Sequence, residues 1–198
     1  MRVMLLGDSI LYGVGRLRGY GAYVREYFEG HGLGEVLLPD ENCNDTRMTR
    51  SLWRELIGAD AATLREVDAV HWNNGLWDVW HFMGNANPTV RLDRYVENLG
   101  AIAASLRAAC PRARILFATT TPVVDSGRRS DSYRLNSEIL AYNEAATATL
   151  APLGVEIHDL AAVAAALPPS ARADEVHYTD EGSAVLSRAV LGALGVLS

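Results

Sequence analysis

Short apolar runs alternate with stretches of helical period along the chain, and that alternation is the strongest constraint on its fold. The first run, residues 2–6, is Arg-Val-Met-Leu-Leu and stops at Gly7. Residues 20–29 carry Tyr20, Tyr23, Val24, Tyr27 and Phe28 at spacings of three and four, which predicts a helix. Glu35-Val36-Leu37-Leu38 reads as a second strand ended by Pro39. A polar loop over 39–47 leads to a helix near 48–58, and 67–72 is a third strand. A loop over 73–88, with Gly75, Gly84 and Pro88, precedes a helix over 89–109, with Pro111 just past its end. Residues 114–119 form a fourth strand, 133–151 a helix and 155–158 a fifth strand. Ala-rich helices near 159–167 and 179–195 close the chain.

Strands separated by helices form βαβ units, hence a parallel sheet covered on both faces. The expected architecture is a flavodoxin-like, three-layer α/β/α sandwich with a five-stranded parallel sheet. It forms a single domain over 1–198, because no repeat, linker or low-complexity tract divides the chain. In such sheets the site lies beyond the carboxyl ends of the strands. The polar and unusual residues gather there, at 7–9, 42–47, 73–78, 119–122 and 174–177.

Composition removes several function classes. Lys+Arg number 18 against 24 Asp+Glu, a net charge of −6, which argues against nonspecific binding to nucleic acid or anionic membrane. A hydrophobic share of 49% excludes a mostly disordered chain. Cys43 and Cys110 make no disulfide framework and no CxxC pair, so two reduced thiols are expected. No apolar run reaches the roughly 18 residues that span a bilayer. The run ending at Leu6 is too short for a secretion signal, so a cytoplasmic protein is expected; a leader removed beforehand would leave no trace.

Ser9 follows the first strand immediately. There a serine is either a turn or cap residue, or a nucleophile if a base takes its proton. His177 lies in Asp174-Glu175-Val176-His177, just before the last helix. Asp and His three apart can share one face of a tight turn. The carboxylate then accepts from one ring nitrogen and leaves the other free to deprotonate a serine. Asp-x-x-His alone is a weak signal. Paired with a strand-end serine on the same sheet edge it becomes a strong one. Two rivals are poorly supported. His71, His81, His158 and His177 have no metal-ligand spacing. Gly13-Val14-Gly15 resembles a dinucleotide fingerprint, but its third glycine, Gly19, comes one residue late.

Gly7-Asp8-Ser9-Ile10 resembles the first block of the SGNH (GDSL-type) hydrolases, and Asp174-x-x-His177 with Tyr178, Thr179 and Gly182 resembles their last block. Residues 68–78, ending Gly75-Leu76-Trp77-Asp78, are similar to the family strand that ends in Gly-x-Asn-Asp. Thr119-Thr120-Thr121-Pro122 and Tyr142-Asn143 resemble two further segments. The resemblance runs from residue 2 to about 190. It implies a serine esterase acting through an acyl-enzyme, with Ser9, His177 and Asp174 as the triad and with neither metal nor organic cofactor.

The same resemblance implies an oxyanion hole built from the Ser9 N–H, the N–H of Asn44 and a third-block side chain. Asn44 stands where Gly is usual, and Asn tolerates left-handed backbone. Trp77 stands where Asn is usual, so Trp77, Asn74 and Asn73 are candidate donors. Residues 73–78 are similar to a family branch with Asn-x-Gly-Leu-His-Asp, with Trp for His. The expected substrate-facing set is Asp8, Asp45, Arg47, Asn73, Gly75, Asp78, Trp80 and His81. Asp8 fixes the nucleophile turn, while Asp45 and Asp78 orient the site loops. Arg47 and Arg50 read substrate hydroxyls or carboxylates, or form a solvated helix face. Trp72 belongs to the core. Trp80, His81 and Phe82 lie on a loop long enough to be a lid or binding wall. They stack on a sugar, line an acyl pocket, or pack against the domain or a second subunit. The expected reaction is hydrolysis of a small O-acyl ester, O-acetyl on a carbohydrate first. Lipase, lysophospholipase or thioesterase action stays open, as does a non-catalytic carbohydrate-binding protein with a decayed oxyanion hole.

Overall fold

Val3, Met4, Leu5 and Leu6 are fully buried, as a strand covered on both faces must be. They belong to β1 (Arg2–Leu6) in a computed structural model that describes residues 1–124 and 131–197. The sheet continues with β4 (Glu35–Leu37), β5 (Ala69–Asn73), β6 (Arg114–Ala118) and β7 (Glu156–His158). Its order is β4-β1-β5-β6-β7, and every neighbouring pair is parallel. The chain leaves β1 for β4 on one side and returns to β5 on the other. That reversal opens a crevice at the carboxyl end of β1, where Ser9 lies.

The helices are α1 (Ser9–Tyr12), α2 (Tyr20–His31), α3 (Thr46–Ile57), α4 (Ala61–Arg65), α5 (Leu92–Ala109), α6 (Asn136–Leu150), α7 (Leu160–Ala165) and α8 (Asp180–Ala193). Right-handed crossovers place α2 and α8 together on one face and the contiguous row α3, α5 and α6 on the other. The five strands and the three layers are those the sequence leads one to expect.

Three elements are additional: α1, α4, and a hairpin of β2 (Gly13–Val14) and β3 (Leu17–Arg18). The glycines that resemble a dinucleotide fingerprint thus build this hairpin. Several boundaries also shift, the helix expected from 133 beginning at Asn136 among them, and two have a clear local reason. Helix α3 begins at Thr46 because the Asp45 side chain caps the N–H groups of Arg47 and Met48. Helix α5 begins only at Leu92, because the N–H groups of Thr89 and Val90 are taken by the carbonyls of Trp80 and Asp78.

The core is continuous across the sheet. Trp72 and Phe117, neighbours on β5 and β6, are both fully buried and meet edge to face at 4.9 Å. Cys43 and Cys110 are free, and burial pushes both thiols up to about 11, so neither is poised as a nucleophile. Among the described residues no helix is long and apolar enough to cross a membrane. Phe117→Ala should cost about 3–5 kcal/mol in urea unfolding. A loss below about 1 kcal/mol would mean that this part of the core collapses to fill the space.

Candidate active site

Ser9 is the first residue of the one-turn helix α1, and Asp8 is its N-cap. The Ile10 N–H donates to Asp8 Oδ1 at 3.0 Å. Burial pushes the Asp8 carboxyl up, against the Ile10 N–H, the Asn73 amide and the charges of Arg134 and His177. Across the turn Gly7 faces Asn73. A Cβ on Gly7 would lie 2.0 Å from Asn73 Oδ1, so this turn admits only glycine without rearrangement. The same oxygen accepts the Tyr20 hydroxyl at 2.9 Å.

Ser9, His177 and Asp174 come together from the two ends of the chain. Ser9 Oγ lies 2.9 Å from His177 Nε2, and His177 Nδ1 lies 2.8 Å from Asp174 Oδ2. The N–H groups of Val176 and His177 both donate to Asp174 Oδ1 at 2.7 Å. Burial works to raise the Asp174 carboxyl, but these N–H groups and the ring outweigh it and hold the group below its usual range. An ionised Asp174 fixes the tautomer in which His177 Nε2 is the acceptor facing Ser9.

The second loop is strapped to the nucleophile turn, since the Cys43 N–H donates to the Gly7 carbonyl at 3.1 Å. Asn44 adopts left-handed backbone with φ 50°. Its N–H donates to Asn42 Oδ1 at 2.8 Å, and its carbonyl accepts Asn74 Nδ2 at 3.0 Å. Asp45 and Arg47 pair with each other at 2.6 Å, with Arg47 exposed. Arg50 reaches Asn98 Oδ1 at 3.0 Å.

The third loop holds most of the expected substrate contacts, and the structure turns several of them inward. Asn74 is fully buried and accepts the Trp72 indole N–H at 2.7 Å. Asn73 is 6% exposed and committed to Tyr20. Gly75, at φ 150°, lies so close to the Thr120 hydroxyl that a Cβ would approach it to 1.9 Å. Asp78 is fully buried, and its Oδ1 accepts the Thr46 hydroxyl at 2.6 Å. His81 is 2% exposed, with Nε2 at 2.8 Å from Glu138 and Nδ1 at 3.1 Å from the Asn85 carbonyl. Its ring stacks on Tyr133 at 4.5 Å. Asn73, Asp78 and His81 therefore hold the loop rather than line an open face, because each gains its bonds by burial. Trp77 and Trp80 stay half-buried, in edge contact at 5.1 Å, and Trp80 meets Phe82 at 4.7 Å. These three rings form the exposed wall. The loop beneath them is pinned: the Tyr133 and His81 backbones exchange bonds at 2.9 and 3.0 Å.

Arg134 carries no sequence motif, yet it joins the site. Its Nε donates to the Leu76 carbonyl at 2.6 Å, and its guanidinium lies 4.9 Å from the Trp80 ring centre. Burial pulls it down to about 10, opposed by the charges of Asp8, Asp174 and Glu175. Nothing in the spacing around this arginine marks it; only the folded contact with Leu76 does. The segment from Thr119 to Val123 is clipped to α6 by two asparagines. Asn143 bonds the Thr120 N–H and carbonyl at 2.7 and 2.9 Å, and Asn136 does the same for Val123 at 3.0 and 2.9 Å.

Comparison with known proteins bears on the family and the fold. Residues 5–185 match the family described as GDSL-like lipase/acylhydrolase. The chain is similar to the structure of Axe2, an acetylxylan esterase from Geobacillus stearothermophilus, with TM-score 0.71 and 22% identity over 98% of this chain and 94% of that one. It is also similar to a Bacteroides fragilis protein named as an acylhydrolase, with TM-score 0.70 and 19% identity over 98% and 86% of the two chains. A Parabacteroides merdae protein named as a GDSL-like lipase gives TM-score 0.69 and 16% identity over 98% and 95%. At these identities the structural likeness carries the fold. No curated protein gives a significant sequence match.

Asp78 supplies a test of how the third loop is held. Burial raises its carboxyl to about 7, against the bonds from Thr46. The folded state then keeps a proton that the unfolded chain releases near pH 4, so this contribution is full below that pH and is lost as pH rises through about 7. Between pH 4 and 7.5 the wild type should lose on the order of 3 kcal/mol more than Asp78→Asn in urea unfolding. Parallel profiles would mean that Asp78 is ionised throughout.

Proposed function

Because the chain belongs to the GDSL-like lipase/acylhydrolase family, we propose that it is a serine esterase that removes a small acyl group, acetyl first, from a carbohydrate hydroxyl. The observation that carries the reading is the hydrogen-bonded series from Ser9 Oγ to His177 Nε2 and from His177 Nδ1 to Asp174, at 2.9 and 2.8 Å. A non-catalytic binding protein has no use for that alignment.

Ser9 Oγ attacks the ester carbonyl while His177 Nε2 takes its proton. The tetrahedral intermediate collapses, the C–O bond to the alcohol breaks, and His177 returns the proton to the leaving oxygen. Water, deprotonated by the same nitrogen, then releases the acid from Ser9. Asp174 keeps the ring oriented and stabilises the imidazolium. Three donors suit the oxyanion. The Ser9 N–H opens α1 and has no intrahelical partner. The Asn44 N–H becomes available once Asn42 gives way. The Trp77 indole N–H is the third.

One feature favours a polar alcohol. The wall of Trp77, Trp80 and Phe82 offers ring faces to a sugar. The name of Axe2 supports the same substrate class.

Hydrolysis of p-nitrophenyl acetate should fall about 10³-fold or more in Ser9→Ala and at least about 10²-fold in Asp174→Asn. Equal rates for wild type and Ser9→Ala would overturn the reading. Acetate should be preferred to octanoate by about tenfold or more, and the reverse preference would make the protein a lipase.

A further inference from the structure

A groove of about 480 Å3 lies between α1, the outer side of α2 and the loop that follows β4. Its walls include Tyr12, Arg25, Glu26, Glu29, Leu38 and Asp40. None of these belongs to the triad or to the expected contact set. The groove nevertheless begins close to the nucleophile along the chain. Tyr12 stands three residues after Ser9, at the other end of the single turn of α1. On the opposite wall, Asp40 leads within a few residues to Cys43, whose N–H is bonded to Gly7, and to Asn44.

The chemistry of the walls selects the occupant. Tyr12 is 46% exposed, a large share for a ring held in place, and its hydroxyl donates to the Asp40 carbonyl at 2.7 Å. The ring is thereby fixed at the lip as a flat, amphipathic surface. Arg25, Glu29 and Asp40 add donors and acceptors, and all three are exposed. Arg25 stands against Glu26, Glu29 and Asp40, and Arg18 pairs with Glu26, so the balance is mildly negative and disfavours an anion. Apolar lining is limited to Leu11, Ala22, Leu38 and Pro39, too little for an acyl chain. The size lies within the range of small-molecule sites. A neutral ligand with many hydroxyls and one flat apolar face meets every one of these conditions.

We propose that this groove is a carbohydrate subsite, in which Tyr12 and the flanking polar residues hold a sugar unit one or more positions from the esterified one. The proposal rests on the carbohydrate-esterase reading of the triad and deepens it: the substrate class becomes an O-acylated oligosaccharide rather than a single sugar. Tyr12 acts on binding of the distal unit and leaves the chemical step to Ser9 and His177.

The test compares an O-acetylated pentose with its O-acetylated trisaccharide, taking the ratio of kcat/KM values within each protein. Wild type should favour the trisaccharide by about tenfold. Tyr12→Ala and Glu29→Gln should each lower that ratio, Tyr12→Ala by about fivefold or more, through KM rather than kcat. Tyr12→Phe should keep most of the ratio because the ring remains. An unchanged ratio in Tyr12→Ala overturns the subsite while the esterase reading stands. If wild type cleaves p-nitrophenyl acetate but no sugar acetate, the carbohydrate-esterase reading fails. Titration of the unacetylated trisaccharide, followed by intrinsic fluorescence, then decides the groove. Saturable binding lost in Tyr12→Ala upholds it, and no saturable binding overturns it.

Discussion

The site depends on the missing side chain of Gly7. The carboxyl ends of β1 and β5 can close on each other only because nothing projects between them, with Asn73 Oδ1 filling the space where a Cβ would be. That approach seats Asp8 beside the Asn73 amide at the head of α1 and lets the second loop bond back to the Gly7 carbonyl. Ser9 is therefore held by backbone on both sides before its side chain meets His177. Asn73 in turn leans on Tyr20, which reaches toward His71. Burial drives His71 down to about 3, so the ring stays neutral within the sheet and shares a hydrogen bond of 3.0 Å with His158. The nucleophile turn thus rests on a buried polar thread that runs under the sheet's carboxyl edge. Each member is satisfied by the next, which is the condition for keeping such groups out of water.

The loop between β5 and α5 is built on the same principle. Several of its polar residues are spent on pinning it, while Phe82, Met83, Asn85 and Asn87 face outward. Asp78 ties it to the start of α3, His81 to Glu138 on α6, and Arg134 to the Leu76 carbonyl. A rigid wall costs less ordering entropy when a substrate binds than a flap that must close first. The cation of Arg134 has a further consequence. It lies among the fields of Asp8, Asp174 and Glu175, and offsets part of the negative charge that these carboxylates bring together.

The fold was legible because alternating strand and helix periods leave few arrangements. The alignment of Ser9, His177 and Asp174 was legible because a strand-end serine and an Asp-x-x-His turn fall on one sheet edge. The inward or outward sense of single loop residues was not legible. His81 and Asp78 sit on a loop at the site edge, where a polar residue is equally at home facing substrate or holding the loop. Their partners decide, and those partners lie 57 and 32 positions away in the chain. Arg134 and Tyr12 were missed for a related reason: a lone arginine before a helix, or a tyrosine after a serine, has no spacing that sets it apart. The left-handed backbone expected at Asn44 is present, because asparagine tolerates it and Asn74 holds the adjoining carbonyl.

Under the proposed mechanism, Asn44 shows how a donor can be kept ready without being left bare. In the absence of substrate its N–H is satisfied by the Asn42 amide oxygen, so no desolvated donor stands unpaired. An ester carbonyl, itself neutral, would gain little by displacing that oxygen. An oxyanion would gain much more, because a charged acceptor makes a shorter and stronger bond than an amide. On this reading the exchange is close to neutral for the ground state and favourable for the tetrahedral species. That difference, not tight binding of the ester, is what lowers a barrier. The Asn44 side chain, which a glycine would lack, reaches Met48 on α3 and ties this turn to the helix.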